Sequence, residues 1–173
     1  METGNRGGMR KRNALVFGGV AFVWLILDHF TKVWAETAEV PGTLIADGVS
    51  GVFDFTLVHN TGAAWGVLGG STFALGIFAL VFCGFLLVLA HIRADRASAF
   101  EMLGYGLVLA GGLGNAIDRF VNGYVVDFIC ARFIDFPVFN VADIGVTCGF
   151  VLIIVFYLHA MRHEGDEAGK DVA

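Results

Sequence analysis

The chain has 173 residues, of which 57% are hydrophobic and only 16% charged, and its mean hydropathy is +0.74. That balance places it among membrane proteins as a single domain and argues against a water-soluble fold. The formal charge of -5 says little about partners, because much of it sits in an acidic tail from Glu164 to Asp171, and no basic stripe suggests nucleic acid.

Four apolar stretches follow one another: Ala14 to Trp34, Val67 to Ala90, Ala99 to Ile117 and Phe139 to Met161. A helix rises about 1.5 Å per residue, so about twenty residues cross a hydrocarbon core roughly 30 Å thick. The predicted fold is therefore an all-α integral membrane protein with four transmembrane helices, a tail over residues 1–13 and a second tail over 162–173. Glycines inside the spans (Gly76, Gly84, Gly104, Gly106, Gly111, Gly112, Gly114 and Gly149) are expected mostly to let helices pack closely in lipid.

Basic residues set the orientation, because lysine and arginine are retained on the cytoplasmic side. Arg6, Arg10, Lys11 and Arg12 precede the first span, Arg93 and Arg96 separate the second and third, and Arg162 and Lys170 follow the fourth. The other side carries only Lys32, Arg119 and Arg132. Both termini are thus predicted to be cytoplasmic, with two outer loops at about 35–66 and 118–138. The basic start and the apolar run from Ala14 to Leu27 also have the form of a secretory signal, with Ala35-Glu36-Thr37-Ala38 as a loose cleavage site. The length of the apolar run and the pair Asp28 and Lys32 within it favour a retained span.

Asp28 and Lys32 stand four apart near the outer end of the first span, on one helix face, with the acid in the better N-terminal position. Their simplest role is an ion pair anchoring the helix end. In the first outer loop, Val52-Phe53-Asp54-Phe55-Thr56-Leu57-Val58 is rich in β-branched and aromatic residues after Gly48 and Gly51, which predicts a short sheet on the membrane surface. Asn60-Thr61-Gly62-Ala63-Ala64-Trp65-Gly66 reads as a turn with an interfacial aromatic. Asn115, Asp118 and Arg119 close the third span; Asp118 is read as structural, with Arg119 as a charge partner.

Asp127, in Val125-Val126-Asp127-Phe128, and Asp143, in Phe139-Asn140-Val141-Ala142-Asp143, lie beside membrane-spanning sequence. A carboxylate so near lipid faces a partner or a water-filled cavity and is by default a functional hypothesis. Two such acids that can partner each other suggest an aspartic-protease pair. Asn140 and Asp143 are neighbours on one helix face near a helix start, so Asp143 also fits a helix cap. Cys83, Cys130 and Cys148 form no metal or CxxC pattern; Cys83 and Cys148 fall in apolar runs and are expected to pack as small hydrophobes, while Cys130 lacks a placed histidine base. His59 and His91 are read as solvent-exposed. Because the polar residues gather at one end and the second span is nearly uncharged, the pattern fits one site better than a proton or ion pathway, which needs polar groups on both sides of the midplane. A purely structural subunit is the remaining alternative.

Five motifs in order resemble the lipoprotein signal peptidase (signal peptidase II) family: Asp28-His29-Phe30-Thr31-Lys32, Asn60-Thr61-Gly62-Ala63-Ala64-Trp65, Gly111-Gly112-Leu113-Gly114-Asn115-Ala116-Ile117-Asp118-Arg119, Val125-Val126-Asp127-Phe128 and Phe139-Asn140-Val141-Ala142-Asp143. The resemblance departs at His29, where glutamine is usual, and at Trp65, where phenylalanine is commoner; His29 leaves the pH response of that corner open. It implies a bacterial inner-membrane aspartic endopeptidase that removes the signal peptide from diacylglyceryl-modified prolipoproteins just before the lipidated cysteine, with its site near the extracytoplasmic face. Asp127 and Asp143 match the catalytic pair. Asn60, Gly62, Asn115, Arg119 and Asn140 match positions that shape or bind the substrate site, and Asp28, Lys32, Gly112, Asp118 and Ala142 match supporting positions. The resemblance further implies a β-cradle and a short helix over the outer surface, suited to the first loop and the segment after Arg119. No metal or cofactor is expected, and the expected partners are prolipoprotein substrate and membrane lipid, with the protein a monomer.

Overall fold

The structure is a computed structural model that describes residues 2–38, 40–62 and 70–170, with side chains described from 6 to 162 within those ranges. Ala63, Ala64 and Trp65 of the second motif, and the first residues of the expected second span, lie outside the described residues.

Four helices, α1 (Glu2–Glu36), α2 (Thr72–Arg93), α3 (Ala99–Val121) and α4 (Val141–Lys170), each contain a stretch long and apolar enough to cross a membrane. Strands β1 (Leu44–Ala46), β2 (Phe53–Asn60) and β3 (Val125–Ala131) form one antiparallel sheet in the order β1-β2-β3. The chain therefore adopts the expected four-helix membrane fold with a small sheet. The loop predicted to be extended at 52–58 supplies β2. Among the described residues, the segment after Arg119 supplies β3 and an irregular connection, not a short helix.

Two boundaries differ from the sequence reading for local reasons. The expected tail over 1–13 is helical from Glu2 and docks at its lower end, where Asn13 Nδ2 donates to the carbonyls of Ala94 at 2.9 Å and Ala97 at 2.8 Å. The fourth helix begins at Val141, after Phe139, because Phe139 exchanges backbone hydrogen bonds with Ile129 and so extends the sheet edge by one bridge. That bridge carries the entry to α4 alongside β3.

Helix α3 is the hub. Every residue from Gly104 to Gly111 is buried, which only a helix surrounded by others achieves. The glycines explain how α4 comes so close. A Cβ on Gly149 would lie 2.6 Å from the carbonyl oxygen of Gly104, and one on Gly104 would lie 3.0 Å from that of Gly149, so the two backbones touch where side chains would hold them apart. A Cβ on Gly112 would meet Cys83 Sγ at 2.8 Å, which makes it a contact point with α2. Gly84 is the exception to the packing expectation, with open space around it.

Large apolar side chains on the outer faces, such as Phe22, Phe30, Phe78, Val81, Val151 and Ile154, are exposed and suit lipid rather than water. The sheet docks on the end of α1. Ala35, Leu57, Val126 and Phe128 form a fully buried cluster there, and Trp34 stands edge-on to Phe55 at 5.3 Å and to Phe128 at 6.0 Å.

Candidate active site

The period-2 alternation of β3 divides its side chains. Val126 and Phe128 go to the cluster on α1, so Val125 and Asp127 face the other way, into a cavity of about 450 Å³. In the antiparallel register Val58 stands opposite Asp127 and Asn60 opposite Val125, so Asn60 is the diagonal neighbour of Asp127 on the cavity face. Asn60 Nδ2 donates to Asp127 Oδ2 at 2.9 Å, while its own Oδ1 accepts from Gly62 N at 2.9 Å and fixes the amide orientation.

Asp143 reaches the same cavity from the first turn of α4. Asn140 stands at the N-cap position, and the two residues cap reciprocally: Asp143 N donates to Asn140 Oδ1 at 3.0 Å and Asn140 N donates to Asp143 Oδ2 at 3.1 Å. Asp143 is thus part of a helix cap and also lines the cavity. Asn140, fully buried, uses its remaining N–H groups on Asp127 Oδ1 at 2.7 Å and Asn115 Oδ1 at 3.0 Å. Asn115 Nδ2 donates to Asp143 Oδ1 at 2.8 Å. Each of the four carboxylate oxygens of the two acids therefore receives one N–H bond, all from neutral amides.

Burial, first, and the neighbouring charge of Asp143, next, push the Asp127 carboxyl up from its ordinary 3.8 to about 7, against the opposing effect of the Asn60 bond. Two close carboxyls titrate as a unit, so the proton belongs to the pair.

Arg119 lines the cavity too. Its Nη1 donates to Asn115 O at 3.1 Å and Nη2 to Gly62 O at 3.3 Å, whereas its buried Nε has no partner among the described residues. The rest of the wall is apolar: Val125, Phe136, Pro137, Val138, Phe139 and Ile144, ending at Thr147 and Cys148 one turn along α4. Thr147 and Cys148 are exposed, so the cavity meets the lipid-facing side of the bundle.

Behind the acids lies a second polar group. Lys32 Nζ is 2.8 Å from Asp28 Oδ2, 3.0 Å from Asp118 Oδ2 and 2.9 Å from Asn115 Oδ1, which uses all three of its donors. The predicted Asp28–Lys32 pair is present. The predicted Asp118–Arg119 pair is not, because successive helix residues do not face each other, and Asp118 pairs with Lys32 instead. Asp28 Oδ1 also accepts from Ala142 N at 2.8 Å, and Asp118 Oδ2 from Val126 N at 3.1 Å. Gly114 lets Asp28 lie against α3, since a Cβ there would overlap Asp28 Oδ2. His29 is exposed with its ring edge-on to Phe30 and stands outside this network.

Other expectations change. Cys148 is exposed on the cavity rim rather than packed, although Cys83 is buried as expected. His59 is half-buried, stacked on Tyr124 at 3.8 Å and 3.0 Å from Glu36 Oε1, so it fastens the sheet to the end of α1; His91 is exposed. The sequence reading passed over Thr147, although a spacing of four from Asp143 puts it on the same helix face. It also passed over Trp24, whose Nε1 donates to Val141 O at 2.9 Å and whose ring occupies the space a side chain at Gly145 would need.

Comparison with known proteins agrees with this arrangement. The family model described as Signal peptidase (SPase) II matches residues 20–159. A protein named lipoprotein signal peptidase from Nostoc punctiforme is 43% identical over 148 residues, covering 85% of this chain and 91% of its own length. Another of the same name from Synechocystis is 38% identical over 140 residues, covering 80% and 85%. A bacterial membrane enzyme structure obtained by the in meso method superposes with a TM-score of 0.76 at 33% identity, covering 82% of this chain and 87% of that one. With four helices apolar enough to span, a cavity lined by two aspartates and a match across most of its length, this chain belongs to the signal peptidase II family of membrane aspartic peptidases.

Proposed function

We propose that the chain cleaves the signal peptide from diacylglyceryl-modified prolipoproteins just N-terminal to the lipidated cysteine, with Asp127 and Asp143 as its acid and base. The observation that carries the reading is the convergence of these two acids, from a strand and a helix, on one cavity. In this reading Asp127 serves as the acid and Asp143 as the base. Asp143 takes a proton from a water molecule as it attacks the scissile carbonyl, while Asp127 donates to the carbonyl oxygen. In the second step the proton on Asp143 passes to the leaving amine as the C–N bond breaks, and one hydroxyl proton of the tetrahedral intermediate returns to Asp127, which leaves the carboxyl product and restores both acids.

The amides of Asn60, Asn115 and Asn140 aim the two carboxyls without bringing a full charge into direct contact with them, so a proton can pass between them. The buried Nε of Arg119, which has no partner among the described residues, is available to donate to a main-chain carbonyl of the bound peptide. The exposed end of the cavity at Thr147 and Cys148 supports lateral entry of a substrate whose acyl chains stay in the bilayer.

The reading further places the site near the extracytoplasmic face of the bacterial inner membrane. Lys32 and Arg119, two of the three basic residues on that side, are taken up by the buried network and the cavity, which leaves Arg132 as the exposed one, paired with Asp54. The positive-inside asymmetry is correspondingly sharper than the raw sequence suggests. The test is incubation of purified protein with a prolipoprotein in its diacylglyceryl-modified and unmodified forms. Cleavage immediately before the modified cysteine, and of the modified form preferentially, is expected; no cleavage of several lipidated substrates by folded protein would overturn the reading.

A further inference from the structure

The buried group behind the acids has a symmetry that simple structural support does not require. Asp118 holds the backbone N–H of Val126, the residue just before Asp127, and Asp28 holds that of Ala142, the residue just before Asp143. Both carboxylates are held in turn by one ammonium, that of Lys32, at 3.0 and 2.8 Å. Its third bond goes to Asn115 Oδ1, and Asn115 donates to Asp143 while its Oδ1 also accepts from Asn140, which donates to Asp127. Lys32 is 4% exposed and Asp28 is 1% exposed, so water cannot take over these bonds.

We infer that Lys32 is a positioning residue for the reaction: through Asp118 and Asp28 it fixes the backbone immediately before each reacting acid, and so sets the spacing of the pair. Ordinary secondary structure does not set this spacing by itself, because Asp127 sits on a sheet and Asp143 on a helix, joined by the Phe139–Ile129 bridge and by Asn140, which bonds both acids. A misplacement of about 1 Å at reacting groups costs on the order of a hundredfold in rate. The charges facing Lys32 come from three sides: Asp28 on its own helix, Asp118 on α3, and beyond Asn115 the two acids on β3 and α4. The inference rests on the assignment of Asp127 and Asp143 as the reacting acids.

The test compares Asp118→Ala, Asp118→Asn and Lys32→Met in the full-length protein by cleavage kinetics and by hydrogen exchange of the Val126 and Ala142 amides. Asp118→Ala is expected to lower kcat about a hundredfold with KM nearly unchanged, and to expose the Val126 amide while leaving Ala142 protected. Asp118→Asn keeps an oxygen for Val126 N–H and is expected to recover most of the rate. Lys32→Met is expected to expose both amides and to move the alkaline limb of the pH–rate profile upward, because the cation that favours ionised Asp127 is gone. Equal losses in Asp118→Asn and Asp118→Ala, or an effect confined to KM, would overturn the inference. Should Lys32→Met not fold, the Asp118 pair decides. An inactive wild type would instead refute the proposed function, and the exchange pattern would then decide the positioning role alone.

Discussion

Buried carboxylates occur at both ends of this bundle, and they are handled in opposite ways. At the end away from the sheet, Glu101 is fully buried and meets a cation directly: Arg93 Nε lies 3.0 Å and Nη2 3.3 Å away. Tyr105 adds a hydroxyl at 2.8 Å and Tyr157 another at 3.3 Å, with the Arg93 guanidinium 5.8 Å over the Tyr157 ring. At the sheet end, Asp127 and Asp143 receive, among the described residues, only neutral amide donors, and Lys32 is held behind them through Asn115. A carboxylate clamped by a cation and two phenols ties α2, α3 and α4 together. Two carboxyls set in amides around a cavity keep a proton that can move.

The largest effect that would break this contrast is loss of the reacting groups. Asp127→Asn and Asp143→Asn are each expected to insert and fold yet lose cleavage by about 10²- to 10⁴-fold or more, measured on purified protein at matched folding. Substantial activity in either variant would remove that acid from the mechanism. The change is not isosteric in hydrogen bonding, because both oxygens of each acid accept, so Asp→Ser is a useful second variant.

The pH profile comes next in size. Asp127 must stay protonated to act as the acid, and its pKa is raised to about 7, so kcat/KM should fall by about tenfold per unit as pH climbs beyond that value. The same shift acts on stability. Below the ordinary value of 3.8 the group is neutral in folded and unfolded chain alike; between there and about 7 only the unfolded chain ionises it, so this group's share of stability is lost as pH rises through that window. A melting temperature that rises from pH 4 to pH 7 in wild type relative to Asp127→Asn would contradict the assignment.

At the other end the expected effect is on the fold and not on the chemistry. Arg93→Ala leaves Glu101 buried without its cation and should cost about 3 kcal/mol of stability. Its kcat per folded molecule should stay close to wild type; a large fall in kcat at full folding would show that the two ends are coupled. The smallest expected effect is that of EDTA on cleavage, which should be nil. Rescue of an EDTA-inactivated sample by one added metal would call for a metal-dependent mechanism.

Much of this was legible in the sequence, for reasons that differ by feature. Four spans follow from apolar length, because lipid forces the backbone to bond within each segment. Strand β2 follows from its β-branched and aromatic run, and Asp28 with Lys32 from helical spacing. The acids stand out because carboxyls are costly near lipid. Less visible was anything set by contact between distant segments. Glu101 is less visible because, apart from Tyr105 on its own helix, its partners lie eight residues back on α2 and far ahead on α4. Asp118 beside Arg119 suggests a pair that helix geometry forbids, while its true partner is in α1.

Local chemistry, repeated along the chain, thus determined by itself the membrane setting, the number of spans, the strand and the acids worth watching. Only the tertiary structure decided that residue 139 bonds to residue 129, that a single ammonium from α1 lies behind both acids, and that Thr147 and Cys148 open the cavity toward lipid. The physical reason is range. Hydropathy and helix periodicity act over a few residues, whereas the bond from Asn115 on α3 to Asp143 on α4 joins distant segments, and the backbones of those two helices approach closely at Gly104 and Gly149.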